Sequence, residues 1–378
     1  MSETPAETAG ETPDELTPAL RLALVSGVGP RLWKRLLERF GTPEAVLGAA
    51  PSALREVEGV GTKVAQSIAK AGEEIDVEDE LAVCRANGIS ILLQSRPEYP
   101  ELLRQIYDPP AVLFARGNLL PRDGLALAIV GTRHATQYGL RQAERLAGSL
   151  ARAGLTIVSG LARGIDATAH RGALAAGGRT LAVLAGGVLT IYPPEHDTLA
   201  AEVMAQGVLL SEAPTRASLQ SGMFPQRNRI ISGLSLGVLV VEAGDRSGAL
   251  ITARQAMEQG REVFAMPGRV DDRSSHGCHR LIRDGAKLVE TADDVLEELG
   301  PLFKPTPGQD GQVVHHPGEL LLNEVEQQIL AIIGSESMLI DEIIVESGLP
   351  AAQVVSTLNV LEMRRMVRRQ GGATVTRI

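Results

Sequence analysis

Rings are scarce in this chain: five Phe, four Tyr and one Trp make 3% of 378 residues. With so few, stacking of bases can only be sparse, and any grip on nucleic acid must rest on cations and backbone. Cys84 and Cys278 are the two cysteines. Two thiols build no disulfide framework, which suits a reducing compartment. No apolar run approaches the roughly 18 residues of a membrane span. The opening stretch, MSETPAETAGETPDEL, has neither the basic n-region nor the apolar h-region of a signal peptide. A cytoplasmic protein with no membrane role is expected. The GxGxxG dinucleotide fingerprint and the GxxxxGK phosphate loop are missing too. The nearest approach, Gly172 to Thr180, lacks the lysine and has the wrong spacing. An ordinary NAD enzyme or ATPase is disfavoured, and no cofactor is expected.

What is present is a series of short apolar runs with polar or glycine-rich ends. Leu125 to Gly131, Thr156 to Gly160, Thr180 to Gly187, Gly207 to Glu212, Leu236 to Val241 and Arg261 to Gly268 read as strands buried on both faces. They alternate with helical segments, which predicts right-handed βαβ units. The fold class expected is α/β, with a doubly wound, mostly parallel Rossmann-like sheet. Ligands of such sheets sit beyond the carboxyl ends of the strands. Around one of those ends lies FPQRNRIISGLSLGVLVVEAGDRSGALITA, residues 224–253. Its turn, Glu242 to Gly248, opens a helix whose first N–H groups suit an anion. Arg227, Asn228 and Arg229 stand just upstream. That combination points to phosphate.

The net charge of −9 at first opposes a polyanionic partner. Its distribution does not. Residues 1–16 carry −5, 17–120 carry −1 and 291–378 carry −7, whereas 121–290 carry +4 from 19 Lys/Arg against 15 Asp/Glu. The one net-basic segment holds the strand-end turns, and local potential is what concentrates a polyanion.

Both flanks carry smaller units. Leu22 to Gly41 and Leu54 to Gly72 each contain Gly-Val-Gly followed by a helix with basic residues, and Gly27/Gly29 and Gly59/Gly61 are offset by the same interval. The repeat resembles paired helix-hairpin-helix motifs, whose glycines let backbone N–H groups approach a phosphate. Lys34, Arg35 and Lys63 are its candidate side chains; a purely structural hairpin is the other reading. Residues 300–318 are rich in Pro and Gly and read as a linker. Beyond it, three helices and a hairpin around Gly371-Gly372 predict a winged helix. Its third helix, Ala351 to Met363, has no Lys or Arg, so it is a poor major-groove reader. Protein contact or autoregulation is favoured there, with Arg364, Arg365, Arg368 and Arg369 the contrary sign. The expected domains are a disordered acidic tail (1–16), a helical helix-hairpin-helix, SAM-like domain (17–80), the Rossmann-like domain with its lead-in (81–299), the linker (300–318) and the winged helix (319–378).

Catalytic constellations are weak. Ser159, Asp166 and His170 invite a triad, but Ser159 lacks a GxSxG elbow. A buried Asp166–His170 pair bracing the loop is favoured. His276, Cys278 and His279 crowd too closely for a metal, with no second ligand cluster, and His315-His316 falls in the linker. No metal is expected.

The strings IVGTRHATQYG, SGLARGIDATAH, AGGVLTIYPPEH, FPQRNRIISGLS, SGALITA and HGCHRLIRDGA run in the order found in the DNA-processing protein A family, DprA, also called Smf. The resemblance is dense over about residues 99–290 and looser on both flanks. His196 and His279 stand where the family pattern has asparagine. The resemblance implies a protein that protects incoming single-stranded DNA in natural transformation and loads RecA recombinase onto it, acting as a homodimer. The residues themselves suggest backbone capture in the strand-end pocket: Arg133, Arg163, Arg227 and Arg229 on phosphates, donors near Ser159, Gly160, Asn228, Ser247, Gly248 and Thr252, and Phe224 as a stacking platform or a core residue. The sheet further resembles the nucleoside monophosphate phosphoribohydrolases, whose PGGxGTxxE turn carries a catalytic glutamate. Ser247, Gly248 and Thr252 match its phosphate-binding part, but the downstream glutamate is absent. Cleavage through an oxocarbenium-like state needs that carboxylate, so binding without catalysis is expected, with the hydrolase as the alternative.

Overall fold

The computed structural model describes residues 13–220, 222–300, 306–307, 313–314, 324–333, 337–363, 366–370 and 374–377. Helices come first: α1 Pro13–Leu24, α2 Pro30–Phe40, α3 Pro43–Leu47, α4 Pro51–Leu54, α5 Thr62–Ala69, α6 Ala71–Glu74 and α7 Val77–Ala86. Proline at the first position of α2, α3 and α4 presets φ and gives up no helical hydrogen bond. The sequence repeat is also a structural one. Gly27 and Gly59 take φ of +93° and +94°, and Gly29 and Gly61 are the N-caps of α2 and α5. Leu20, Leu22, Trp33, Leu36, Leu54 and Ile68 pack together with Ile89, Leu93, Val112 and Phe114, so this helical layer seats on one edge of the sheet.

Two expected boundaries move. The tail expected over 1–16 gives way to helix at Pro13, because Leu16 packs against the helical core; residues 1–12 lie outside the described residues. The boundary expected at residue 80 falls inside α7, whose Val77 and Cys84 are both buried in that core.

The central sheet contains β1 Ile89–Leu93, β2 Val112–Gly117, β3 Ala126–Val130, β4 Thr156–Ser159, β5 Thr180–Val183, β6 Val208–Ser211, β7 Gly237–Val240, β8 Glu262–Ala265 and β9 Lys287–Leu288. Their order is β1-β2-β6-β5-β4-β3-β7-β8-β9. From β6 to β9 every pairing is parallel, and β1 and β2 add an antiparallel edge. The chain winds outward from β3 to β6, then returns to the other side of β3 for β7 to β9. The sheet therefore reverses its winding at β3, where a ligand crevice is expected.

The remaining helices of this domain are α8 Glu101–Arg104, α9 Gln137–Arg152, α10 Ile165–Ala175, α11 Asp197–Gln206, α12 Met223–Gly233, α13 Ala249–Glu258, α14 His276–Arg283 and α15 Ala292–Leu299. They cover both faces, as the alternation within β3 requires. Ala126, Ala128 and Val130 meet the layer of α12, α13 and α14, while Leu127 and Ile129 meet α9, α10 and α15. Truncating Leu127 to alanine would leave a cavity costing roughly 2–5 kcal/mol. Burial pushes the thiols of Cys84 and Cys278 up to about 12, so neither is a nucleophile near neutral pH.

Two-residue strands β10 Thr306–Pro307 and β11 Val313–Val314 fall within the expected linker, most of which is outside the described residues. Then come α16 Glu324–Ile332, β12 Met338–Leu339, α17 Ile340–Ser347, α18 Ala351–Met363, β13 Val367–Gln370 and β14 Thr374–Arg377. Ile329, Ile343, Val354, Leu358, Leu361 and Val375 give this winged helix its own core. Arg369 is held by Glu362 at 3.4 Å and by Asn359, while Arg364, Arg365 and the Gly371-Gly372 turn lie outside the described residues. Among the described residues no single helix is long and apolar enough to cross a membrane.

Candidate nucleic-acid interface

At the carboxyl ends of β3 and β7 the sheet opens into a cavity of about 510 Å³. Its wall combines four segments: Gly131 to His134 after β3, Ala162 and Asp166 after β4, residues of α12 from Phe224 to Asn228, and residues from Gly244 to Thr252 across the turn into α13. The volume suits a small ligand or part of a larger one. Gly248 stands at the N-cap of α13. The Ala249 amide already donates to Ser247 Oγ at 3.3 Å, and the Leu250 and Ile251 amides donate to the Ser247 and Gly248 carbonyls at 3.1 and 3.0 Å, so this end offers an anion the positive end of the helix dipole. Asn228, Ser247 and the buried Thr252 add polar atoms to the wall.

Arg133 is exposed, its guanidinium 4.6 Å from the centre of the Phe224 ring. Phe224 is half-buried in the wall and not in any core. Its ring meets Tyr192 edge-on at 6.2 Å, and the Arg163 guanidinium lies 6.0 Å from Tyr192. Arg133, Phe224, Tyr192 and Arg163 thus form a row along one lip, two adjacent rings with a cation at each end. Arg163 departs from the expected phosphate role: its Nε donates to Glu195 at 2.5 Å, and it stands outside the cavity wall.

The two arginines of α12 go opposite ways. Two residues of helix turn a side chain through about 200°. Arg227 enters the cavity wall, almost fully buried, and donates through Nη1 to the Val183 carbonyl at 2.5 Å. Burial pushes it down to about 10, against the opposing pull of Asp166, so it stays charged at neutral pH. Its guanidinium lies directly over Gly160, so a Cβ at that position would displace it from its place beneath the cavity. Burial likewise raises the Asp166 carboxyl, opposed by Arg227 and by the N–H groups of Ala162 and Gly160. Arg229 faces away. It pairs with Glu212 at 2.5 Å and Asp108 at 3.8 Å, so its expected role on phosphate gives way to an internal brace. Ser159 is also corrected: it is fully buried, and its hydroxyl donates to the Ile129 carbonyl at 2.6 Å. The Gly160 N–H expected to face a ligand instead donates to Asp166 at 3.2 Å.

A sequence profile described as DNA recombination-mediator protein A matches residues 90–300, the DprA winged helix domain matches 315–373, and a SAM-like helix-hairpin-helix tandem matches 19–71. Protein Smf of Synechocystis is 36% identical over 92% of this chain and 95% of its own length. The chain belongs to the DNA-processing protein A (DprA/Smf) family. Among solved structures, DNA processing protein A from Streptococcus pneumoniae superposes with a TM-score of 0.64 at 35% identity, covering 74% of this chain and 95% of that one. DNA processing protein A from Helicobacter pylori, solved for its single-stranded DNA binding mode, gives 0.52 at 29% identity over 57% and 97%.

Both departures from the family pattern have a structural place. His196 donates from Nδ1 to the carbonyl of Leu161 at 2.8 Å. Leu161 is a buried non-glycine residue at φ +56°, a strained conformation costing on the order of 1–3 kcal/mol, and the histidine helps hold it. His279 Nε2 sits between the amide and carbonyl of Gly268, at 3.3 and 3.0 Å, on the loop after β8. The Asp166–His170 pair does not form. His170 bonds through Nδ1 to Thr180 at 2.6 Å, and since the Thr180 hydroxyl donates to Ile157, the imidazole must be the donor there. Burial pushes His170 down to about 3, so it is neutral across the physiological range. Glu242, the acid of the turn, accepts from the Thr136 hydroxyl at 2.6 Å and amide at 3.1 Å, which fixes the turn after β3.

Arg246 and His134 line the cavity and are exposed, yet neither was singled out from the sequence. Nothing in the string YPPEH marks Tyr192 for a role. The signal for Arg246 was present, an arginine inside a phosphate-competent strand-end turn. The hairpin residues lie in the separate helical layer. Arg35 is tied to Glu58 at 3.4 Å, Lys34 lies 5.7 Å over the Tyr107 ring, and Lys63 is exposed beside its hairpin.

Proposed function

We propose that this chain binds single-stranded DNA in the cavity at the ends of β3 and β7, protects it during transformation and recombination, and passes it to RecA recombinase. The observation that carries this reading is the cavity wall: cations with no carboxylate partner among the described residues, beside a half-buried ring, on the one net-basic segment of an acidic chain. Arg133 and Arg246 take phosphates by charge-assisted hydrogen bonds, with the positive end of the α13 dipole behind them and the side chains of Asn228, Ser247 and Thr252 adding donors. Arg227 supplies fixed positive charge from beneath. Phe224 and Tyr192 give two ring faces for bases, sparse enough to be sequence-tolerant. The described binding of single strands by the Helicobacter pylori relative supports the same partner. The protein works in the cytoplasm as a homodimer, so that two cavities engage one strand with higher avidity.

The decisive experiment titrates salt against binding of oligo-dT and of duplex DNA of equal length. Single-strand preference, with log affinity falling by about 0.7 per phosphate contact for each decade of salt, is expected. Equal or stronger duplex binding at every salt concentration refutes the reading.

A hydrolase is the second reading, and Asp166 favours it: a buried carboxyl, held above its usual range, in a nucleotide-sized cavity beside an arginine. Against it, Asp166 already accepts from Gly160, and Glu242 is engaged by Thr136. We favour binding without cleavage. Release of free base from AMP or CMP, abolished by Asp166→Asn, would reverse that preference.

A further inference from the structure

We propose that Tyr107, with Arg31 and Lys34 over its ring, is a second station for the same single strand, where one base stacks on the phenol and flanking phosphates meet the two cations. The inference rests on the single-strand reading of the cavity. Tyr107 is 71% exposed in a chain with very few rings. Its neighbours explain why it stands out: Ile106 is buried in the sheet core, and Asp108 faces Arg229 at 3.8 Å. The Arg31 guanidinium and the Lys34 ammonium lie 5.4 and 5.7 Å from the ring centre, one helical turn apart on α2.

The pairing of charges on α2 is selective. Arg35 and Arg39 are neutralised by Glu58 and Glu56, at 3.4 and 3.3 Å. Arg31 and Lys34, both exposed, have no carboxylate partner among the described residues, and these two gather at the ring. A ring that only sealed the joint between the helical layer and the sheet would be covered. This one keeps most of its surface open beside two unpaired cations, the combination that holds a base and its phosphates. The position is also connected to the cavity. Asp108 contacts Arg229 on α12, five residues along the helix from Phe224, which is about 7.5 Å of axial rise. A strand leaving the Phe224 lip can therefore reach Tyr107 within a few nucleotides.

The test measures anisotropy of full-length protein with oligo-dT of about 3 nucleotides, too short to reach from Phe224 to Tyr107, and about 20 nucleotides, a range bracketing site sizes of about 4–16 nucleotides. Tyr107→Ala should leave the short oligomer unchanged and weaken the long one about 5-fold or more, while Tyr107→Phe keeps both. Arg31→Ala with Lys34→Ala should flatten the salt dependence of the long oligomer alone; being wholly on the surface, this pair carries the test if Tyr107→Ala misfolds. An unchanged long oligomer, or equal loss on both lengths, overturns the second station. Wild-type protein that binds the short oligomer as tightly as the long one removes the station and leaves the cavity standing. Wild-type protein that binds neither refutes the cavity reading, and the station with it.

Discussion

Arg229 should matter for stability and not for DNA. Its side chain is 7% exposed and its guanidinium is shared between Glu212 and Asp108. Replacing it with methionine keeps the volume and leaves two carboxylates without their cation. Breaking a buried pair from one side costs about 3–5 kcal/mol, and because the Glu212 side chain is 30% exposed the lower end applies, about 3 kcal/mol. For a domain of this size that is a fall of ~6–12 °C in its thermal transition. The pH dependence has a definite sign. Burial already raises the Glu212 carboxyl despite Arg229, so the folded protein binds that proton more tightly than the unfolded chain. Stability then falls as pH rises above the unfolded value of about 4.3. Without Arg229 the carboxyl rises further, so the deficit of Arg229→Met should be smallest near pH 5 and grow toward pH 8. Adding Glu212→Gln should recover much of it. Calorimetry of the three proteins at both pH values, with oligo-dT titrations alongside, makes the comparison. A stable Arg229→Met protein whose single-strand affinity or salt slope collapses would refute the brace and return Arg229 to the phosphate site.

The opposite pattern is expected for the exposed cations. Arg133→Ala and Arg246→Ala should each keep the thermal transition and reduce the salt slope of oligo-dT binding by about 0.7, and an unchanged slope would remove that residue from the backbone contact. Phe224→Ala should cost about 1–3 kcal/mol of single-strand affinity; the same affinity in a folded variant would leave the ring a wall residue only. His170 should stay neutral from pH 5 to 8, since burial pushes it to about 3; an imidazole NMR titration in that range would contradict its buried place. Ending the chain at Pro305 removes most of a segment carrying −7 and should leave oligo-dT affinity intact or slightly raised at low salt, whereas selective loss on single-strand–duplex junctions would assign the wing arginines to duplex.

The sheet and its cavity were legible because their signals are local. Apolar runs of four to six residues, closed by glycine or polar turns, mark strand ends wherever they occur, and the winding order then sets which ends meet. What each arginine does was not legible, because the deciding partner is remote in sequence. Nothing near Arg229 announces Asp108, and nothing near Arg163 announces Glu195, 32 positions away. The same limit separates Asp166 from His170. Their spacing puts both on one helix face, but β5 brings Thr180 to the histidine and the β4 turn brings Gly160 to the aspartate. Ser159 reads as a candidate ligand donor because it ends a strand; the adjacent β3 carbonyl of Ile129 takes its hydroxyl inward.

The net charge of a segment is therefore a coarse guide to where a polyanion goes. The +4 of residues 121–290 counts Arg163 and Arg229, which acids hold at 2.5 Å, on the same footing as Arg133 and Arg246, which have no carboxylate partner among the described residues. Paired cations release little on meeting a phosphate, since they must first give up an existing partner; unpaired ones meet it at once. By that measure residues 17–120, at −1, are not inert either. Their surplus of acid sits partly on Arg35 and Arg39, which leaves Arg31 and Lys34 uncompensated beside an exposed ring. Affinity for a single strand should accordingly follow the number of unpaired cations along its path, so that neutralising Arg31 and Lys34 lowers long-strand affinity more than neutralising Arg35 and Arg39, although both pairs remove two charges from one helix.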